Sequence, residues 1–190
     1  MTQAAPFPGR RARRSWRVIG AALALSTVAS SCSAELTAAT AHADADITAT
    51  VLRVIDGDTL DLADDRRGRL RIRVLGIDTP EATTKVGCWG PQATEFANAT
   101  LAGARVAIIT DPTQDLHDRY GRTLAYVEKA GGWNYSIEAA RSGNAHAYVY
   151  DNSPVTRAPE IAAAEQEAKA AGRGLWGPPC FGRTDPAPRS

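Results

Sequence analysis

Residues 47–74 hold three β-strand patterns separated only by short turns, which leaves few folds open to the chain. Residues 47–55 alternate with β-branched residues, an Asp-Gly-Asp turn follows, and residues 59–62 resume a strand. Residues 69–74 alternate arginine with leucine, isoleucine and valine. Because successive side chains of a strand point to opposite faces, the apolar set faces a core and the three arginines share the other face. The sequence therefore predicts an early run of strands with one buried side.

The rest of the chain alternates strand and helix patterns. Strands are predicted at residues 105–110 and 122–127, and helices at residues 91–101, 134–141 and 160–171. Five short strands with interleaved helices favour an α+β fold that is mainly β. They predict a five-stranded barrel packed by helices, compatible with the OB type.

Residues 1–43 have the pattern of an export leader. Five arginines lie between residues 10 and 17, and twelve small or apolar residues follow at 18–29. A membrane-spanning helix needs about twenty apolar residues, so this segment fits a signal sequence better. The tripeptide Ala-His-Ala at 41–43 resembles a cleavage site. We expect an exported protein, secreted or associated with the cell envelope, with its domain at residues 44–180 and a flexible tail at 181–190.

Three kinds of leader fit these residues. Residues 13–17 resemble a twin-arginine signal, and the segment that ends at Cys32 resembles a degenerate lipoprotein box. A plain secretory leader is the third alternative. Membrane association is expected only if Cys32 is lipidated.

The charge balance excludes a nucleic-acid binder that is held by bulk positive charge. The chain has a formal net charge of +1, but residues 44–190 carry 17 basic and 20 acidic side chains. Any anionic partner must therefore be bound by a few well-placed cations or by a metal ion.

Three cysteines are present, at positions 32, 88 and 180. If Cys32 is removed or lipidated, Cys88 and Cys180 remain as a pair. In an oxidising compartment they favour one disulfide between the C-terminal region and a central loop. Two free buried thiols are the alternative.

Acidic residues gather at two strand ends. Asp56 and Asp58 flank a glycine and offer oxygen ligands to a divalent cation, although such residues also form plain turns. After the third strand, Asp78 and Glu81 can point into one site near Arg73. Two carboxylates and a guanidinium suit a metal-assisted attack on an anion, and a solvated turn with a surface ion pair is the alternative.

A third polar segment covers residues 118–122. Gly121 allows a sharp turn, so that Arg122 can begin a strand and be held rigidly. A rigid guanidinium can grip a phosphate with two parallel hydrogen bonds, and Tyr120 can stack on a base or sugar. An ordinary polar loop is the alternative.

Taken together, these segments resemble the staphylococcal nuclease family in order and spacing from about residue 49 to residue 176. The matching segments are IDGDT at 55–59, RVLGIDTPE at 73–81, GPQA at 90–93, DRYGRTLAY at 118–126, AYVY at 147–150, and residues 164–176. The resemblance implies an OB-fold barrel with three helices and a calcium-dependent phosphodiesterase that acts on DNA and RNA.

The resemblance also implies roles for individual residues. Asp58 and Asp78 would be the calcium carboxylates, joined by the backbone carbonyl of Thr79, with Asp56 behind them. Glu81 would be the general base. The remaining roles fall on the phosphate-binding arginines Arg73 and Arg122 and on the nucleotide-pocket tyrosines Tyr120, Tyr148 and Tyr150.

The chain departs from the family pattern in its short loop after Glu81 and in its acidic domain. We expect a monomer without protein partners that acts on single-stranded or frayed nucleic acid. The alternatives are a non-catalytic OB-fold module that binds nucleic acid, and a lipid-anchored scaffold that binds calcium for stability. The retained acids and arginines favour the nuclease, because a mere binding module would not need them.

Overall fold

A computed structural model describes residues 46–185 of the chain. The predicted leader at 1–43, with Cys32 and the cleavage site, lies outside the described residues, as do residues 186–190 of the predicted tail. Within the described part, no helix is long and apolar enough to cross a membrane.

Eight strands and three α-helices follow one another along the described chain. In order they are β1 (Ala49–Asp56), β2 (Thr59–Asp64), β3 (Gly68–Val74), β4 (Ile77–Asp78), α1 (Gly90–Leu101), β5 (Arg105–Ile109), β6 (Thr123–Lys129), β7 (Trp133–Asn134), α2 (Tyr135–Arg141), β8 (His146–Ala147) and α3 (Ala158–Ala170).

Five of these strands close into a barrel. Strands β1, β2 and β3 form an antiparallel meander, β1 also pairs with β5, and β5 pairs with β6. Parallel pairing of β3 with β6 completes the ring. The predicted five-stranded OB-fold barrel with three helices is therefore confirmed.

The alternation in β3 places its side chains as the sequence predicts. Ile72 and Val74 are buried in the core, and Leu70 packs against it from a half-buried position. Arg69 and Arg71 are exposed on the other face. One strand thus contributes both to the core and to a row of cations on the surface.

Local sequence signals explain where the helices begin. Pro91 occupies the first turn of α1, where its missing N–H removes no helical hydrogen bond. The Asn134 side chain caps α2 by accepting a hydrogen bond from the backbone N–H of Ile137. The predicted strands and helices are all present with small shifts at their ends, whereas the two-residue strands β4, β7 and β8 were not predicted.

A disulfide joins Cys88, just before α1, to Cys180, as the cysteine count favours. Residues 181–185, the described part of the predicted tail, follow directly after Cys180. The backbone N–H of Gly182 donates to the carbonyl of Leu175, and the Thr184 hydroxyl lies 3.1 Å from His146 Nε2. The C-terminal segment is therefore attached close to the loop that follows β4.

Candidate active site

The turn between β1 and β2 is held in place from two sides. A Cβ atom at Gly57 would lie 2.8 Å from the side chain of Thr79, so only glycine allows this close approach. On the inner side, the hydroxyl of the fully buried Tyr135 donates to the Gly57 carbonyl at 2.6 Å. The carboxylates of Asp56 and Asp58 are thus carried on a rigid turn.

Asp58 links this turn to the segment after β4. Its Oδ2 accepts hydrogen bonds from the Thr79 backbone N–H at 2.9 Å and from the Thr79 hydroxyl at 3.0 Å. The Thr59 hydroxyl donates to Oδ1. Because Asp58 is only 6% exposed, these contacts fix the direction in which its carboxylate points.

Arg73 lies between the two aspartates at the end of β3. Its Nη1 is 3.0 Å from Asp58 Oδ2, and its Nη2 donates to Asp78 Oδ1 at 2.8 Å. Nη1 also donates to the carbonyl of Ile77. The guanidinium therefore bridges both carboxylates and holds them on one side of a cavity.

Glu81 lies at the edge of the same cavity and is exposed. Its Oε1 accepts hydrogen bonds from the Thr83 hydroxyl and from the backbone N–H groups of Ala82 and Thr83. These hydrogen bonds, with that of the hydroxyl the largest, lower the pKa of Glu81. The carboxylate is ionised at neutral pH and can accept a proton, although the lowered pKa makes it a weaker base.

Arg122 is oriented by Asp118, four residues earlier. Its Nε donates to Asp118 Oδ2 at 2.6 Å, and its backbone N–H donates to Oδ1. Its two terminal nitrogens have no hydrogen-bond partner among residues 46–185. The guanidinium is therefore held from one side while its outer fork faces open space.

These side chains line one polar cavity of about 250 Å³, which we call the acid cavity. Its lining residues are Asp56, Asp58, Thr59, Arg73, Asp78, Thr79, Glu81 and Arg122. Four carboxylates and two guanidiniums are present, so the negative groups are in excess by two. Such an excess suits a divalent cation.

The pKa of Asp56 is raised by its surroundings in the acid cavity. Burial, and then the negative charge of Asp58, raise the pKa of Asp56 to about 6. Desolvation also raises the pKa of Asp78, against the opposing effect of Arg73. Since the Asp78 side chain is 54% exposed, solvent limits that second shift.

The three predicted tyrosines lie next to the acid cavity. Tyr120, Tyr148 and Tyr150 line a second cavity of about 450 Å³, which we call the tyrosine pocket. Arg73 and Arg122 line both cavities. A group bound to the two guanidiniums therefore lies beside a surface on which flat rings can stack.

Comparison with known proteins decides the family. Residues 71–178 match the family model described as staphylococcal nuclease homologue. An uncharacterized endonuclease of Escherichia coli is 36% identical over 133 residues, which cover 70% of this chain and 78% of the relative. The chain belongs to the staphylococcal nuclease family.

Two named nucleases support this assignment. The thermonuclease of Staphylococcus intermedius is 36% identical over 129 residues, covering 66% of this chain and 74% of the relative. The micrococcal nuclease of Shigella flexneri is 32% identical over 143 residues, covering 71% and 76%. As a member of the staphylococcal nuclease family with these relatives, the chain is a hydrolytic nuclease.

The acid cavity offers part of the ligand set that a hard cation requires. Within residues 46–185, no three histidine, cysteine or acidic side chains converge as a full ligand set. Calcium takes six to eight oxygen ligands and accepts carbonyl groups and water among them. Two carboxylates and the surplus negative charge of the cavity suit such an ion, with water as part of its shell.

The structure brings every residue predicted for catalysis, metal binding or nucleotide binding to one of these two adjoining cavities. Sequence analysis missed two supporting residues, Asp118 and Tyr135. The signal for Asp118 was its position at the start of the turn that ends at Arg122. No local signal identified Tyr135, because its contact with Gly57 joins positions 78 residues apart.

Proposed function

We propose that the chain is a calcium-dependent phosphodiesterase that cleaves DNA and RNA. The observation that carries the proposal is the acid cavity, in which an excess of carboxylates faces two guanidiniums. A nucleic-acid backbone is anionic and repels hydroxide. Its hydrolysis therefore needs positive charge at the phosphate and a group that removes a proton from water.

Asp58, Asp78 and the Thr79 carbonyl would hold the calcium ion, with Asp56 behind them. When bound, the ion neutralises a phosphate oxygen and supplies a site for water. The hydrogen bonds from Thr79 to Asp58 and from Arg73 to Asp78 support this assignment, because they keep both carboxylates aimed at the cavity.

Arg122 and Arg73 would stabilise the charge that develops on the phosphate oxygens. Arg122 is the better placed for a two-pronged contact, since it lines the cavity and only the Nε of its guanidinium is bound by Asp118. Arg73 already contacts both aspartates, so a phosphate must share it with them.

Glu81 would act as the general base. It lines the acid cavity and is ionised, and a carboxylate within reach of a bound water can accept its proton. Tyr120, Tyr148 and Tyr150 would stack on the bases of single-stranded or frayed nucleic acid.

We also propose that the protein is exported and acts as a monomer, secreted or at the cell envelope. The leader pattern at residues 1–43 and the disulfide between Cys88 and Cys180 support export, because such links persist in oxidising compartments. Fractionation of cells that express the full chain tests this, and a protein found only in the cytosol would refute it.

One assay tests the catalytic proposal. Purified protein is incubated with single-stranded DNA, with calcium or with a chelator, beside Glu81→Gln and Arg73→Ala. Cleavage by the wild type alone, and only with calcium, is expected. Equal cleavage by all three proteins would refute the assigned roles, and binding without any cleavage would favour the non-catalytic module.

A further inference from the structure

The exposed face of β3 carries arginines that lead away from the acid cavity. Arg69, Arg71 and Arg73 are alternate residues of one strand, and their unbroken pairing with β2 keeps them on one face. Alternate residues are about 6.8 Å apart along a strand. Arg73 ends in the acid cavity, so Arg71 and Arg69 lie one and two steps beyond it. We call these two residues the arginine row.

A third cavity, of about 400 Å³, lies along this row. It is lined by Asp61, Arg69, Leu70, Arg71, Tyr120, Gly121 and Arg122. Arg122 also lines the acid cavity, and Tyr120 also lines the tyrosine pocket. The three cavities therefore share walls, and an extended ligand can pass from one to the next.

The third cavity keeps a surplus of positive charge in a domain that is acidic overall. Its one carboxylate, Asp61, is shared between Arg71, whose Nε lies 2.7 Å away, and Arg53 at 2.8 Å. Both contacts are exposed, and exposed ion pairs of this kind are weak enough for a phosphate to replace them. Arg69 has no ion-pair partner within residues 46–185.

Tyr120 lines both the third cavity and the tyrosine pocket. It is 68% exposed, and the guanidiniums of Arg119 and Arg122 lie 4.8 Å and 5.5 Å from the centre of its ring. An exposed aromatic ring with cations beside it is suited to stack on a base while the neighbouring phosphates contact arginine.

We propose that the arginine row binds the phosphates of a polynucleotide strand on one side of the phosphodiester that is cleaved. This inference rests on the proposed function, because Arg73 and Arg122 define where the strand begins. The row makes long single strands better substrates than dinucleotides, since a dinucleotide ends before it reaches Arg69.

The test compares cleavage of a twelve-nucleotide single strand with cleavage of a dinucleotide. The double variant Arg69→Ala/Arg71→Ala is set against Arg105→Ala/Arg173→Ala, which removes the same charge at exposed positions outside the three cavities. We expect kcat/KM for the twelve-mer to fall about tenfold in the first variant only, as expected for two lost phosphate contacts. The dinucleotide is expected to change less than twofold.

Salt dependence gives a second readout. Each phosphate contact to a single strand contributes about 0.7 to the slope of log affinity against log salt concentration. The slope for the twelve-mer should therefore become shallower by about 1.4 in the arginine-row variant. Asp61→Asn frees both of its arginines and should tighten binding. Equal kcat/KM values and equal salt slopes for the arginine-row and control variants would overturn the proposal.

Binding of the twelve-mer in chelator, measured by fluorescence anisotropy, separates this inference from the proposed function. A protein whose Kd depends on the row but which cleaves nothing would support the row and refute the nuclease chemistry. A protein that cleaves with calcium, but binds equally well in all variants, would refute the row alone.

Discussion

Asp111 and Asp56 lie in contrasting surroundings, which shift the pKa values of their carboxyl groups in opposite directions. Asp111, just after β5, is 3% exposed and accepts hydrogen bonds from Tyr126, Thr113 and Thr156. Burial alone would raise its pKa, but these hydrogen bonds hold the pKa well below its usual range. In the acid cavity, by contrast, burial and a neighbouring carboxylate raise the pKa of Asp56.

The contrast separates a structural acid from a functional one. Asp111 is fully compensated by the protein, and its contacts join β6 to the start of α3. Asp56 has few donors and faces other acids, so its charge is compensated only when something else arrives. The surplus of carboxylates over cations around the acid cavity is what attracts a cation to it.

The largest effect on activity is expected for substitution of Arg122, which lines the acid cavity. Arg122→Ala should lower kcat by about a thousandfold, because it removes a rigid donor from the charge that develops on phosphate. Arg122→Lys should be less severe but still impaired, since an ammonium group cannot reproduce the two-pronged contact. Steady-state kinetics on single-stranded DNA measures both. An unimpaired lysine variant would contradict the role of the guanidinium.

At the other site of the comparison, Asp111→Ala should mainly lower the stability of the fold. It leaves the hydroxyl of the buried Tyr126, and the donors of Thr113 and Thr156, without their acceptor. This loss should cost about 3 kcal/mol of the free energy of unfolding. Tyr126→Phe is the matched control, because it removes one donor and should cost about 1 kcal/mol. Urea unfolding measures both. A folded Asp111→Ala protein that has lost its activity would break the distinction between the two acids.

Asp56→Asn is expected to raise the free energy of unfolding, by less than Asp111→Ala lowers it. Because the folded pKa of Asp56 is about 6 and its ordinary value is 3.8, the folded state favours the protonated form. The ionised carboxylate therefore destabilises the protein increasingly as pH rises from about 4 to above 6. Without calcium, the asparagine variant should be more stable than the wild type by about 1 kcal/mol at pH 8, after allowance for solvent screening.

Measuring the stability difference between wild type and Asp56→Asn at several pH values provides the control. At pH 4 the wild-type Asp56 is protonated in the folded state, so the two proteins should be nearly equal in stability. Asp111 behaves in the reverse manner, because its stabilising contribution is present above pH 4 and is lost only below it. A constant difference between wild type and Asp56→Asn from pH 4 to pH 8 would show that Asp56 carries no unusual pKa.

Local patterns identified much of this arrangement. Alternation in residues 69–74 predicted both the buried face of β3 and its exposed arginines, and the turn residues located Asp58 and Asp78 at strand ends. Long-range contacts remained hidden, because no local pattern signals that Tyr135 supports Gly57 or that Thr156 donates to Asp111. Both acids occur in Asp-rich polar segments, and only their surroundings show which one is compensated.

The position of Glu81 was predicted, but its hydrogen bonds were not. Its place three residues after Asp78 predicted that both could face one site, and the structure places both around the acid cavity. The hydrogen bonds from Thr83 to Glu81 span only two residues, and the sequence analysis assigned them no role. These hydrogen bonds lower the pKa of the proposed base.

Calcium titration by calorimetry tests the central claim most directly. Wild-type protein should bind one calcium ion, and Asp78→Asn should abolish that binding while the protein stays folded, since the Asp78 side chain is half exposed. Asp151→Asn makes the same chemical change at an exposed turn that asparagine tolerates, and should leave binding intact. Calcium binding of equal strength in wild type and Asp78→Asn, or no binding at all, would contradict the claim that the acid cavity holds the cation.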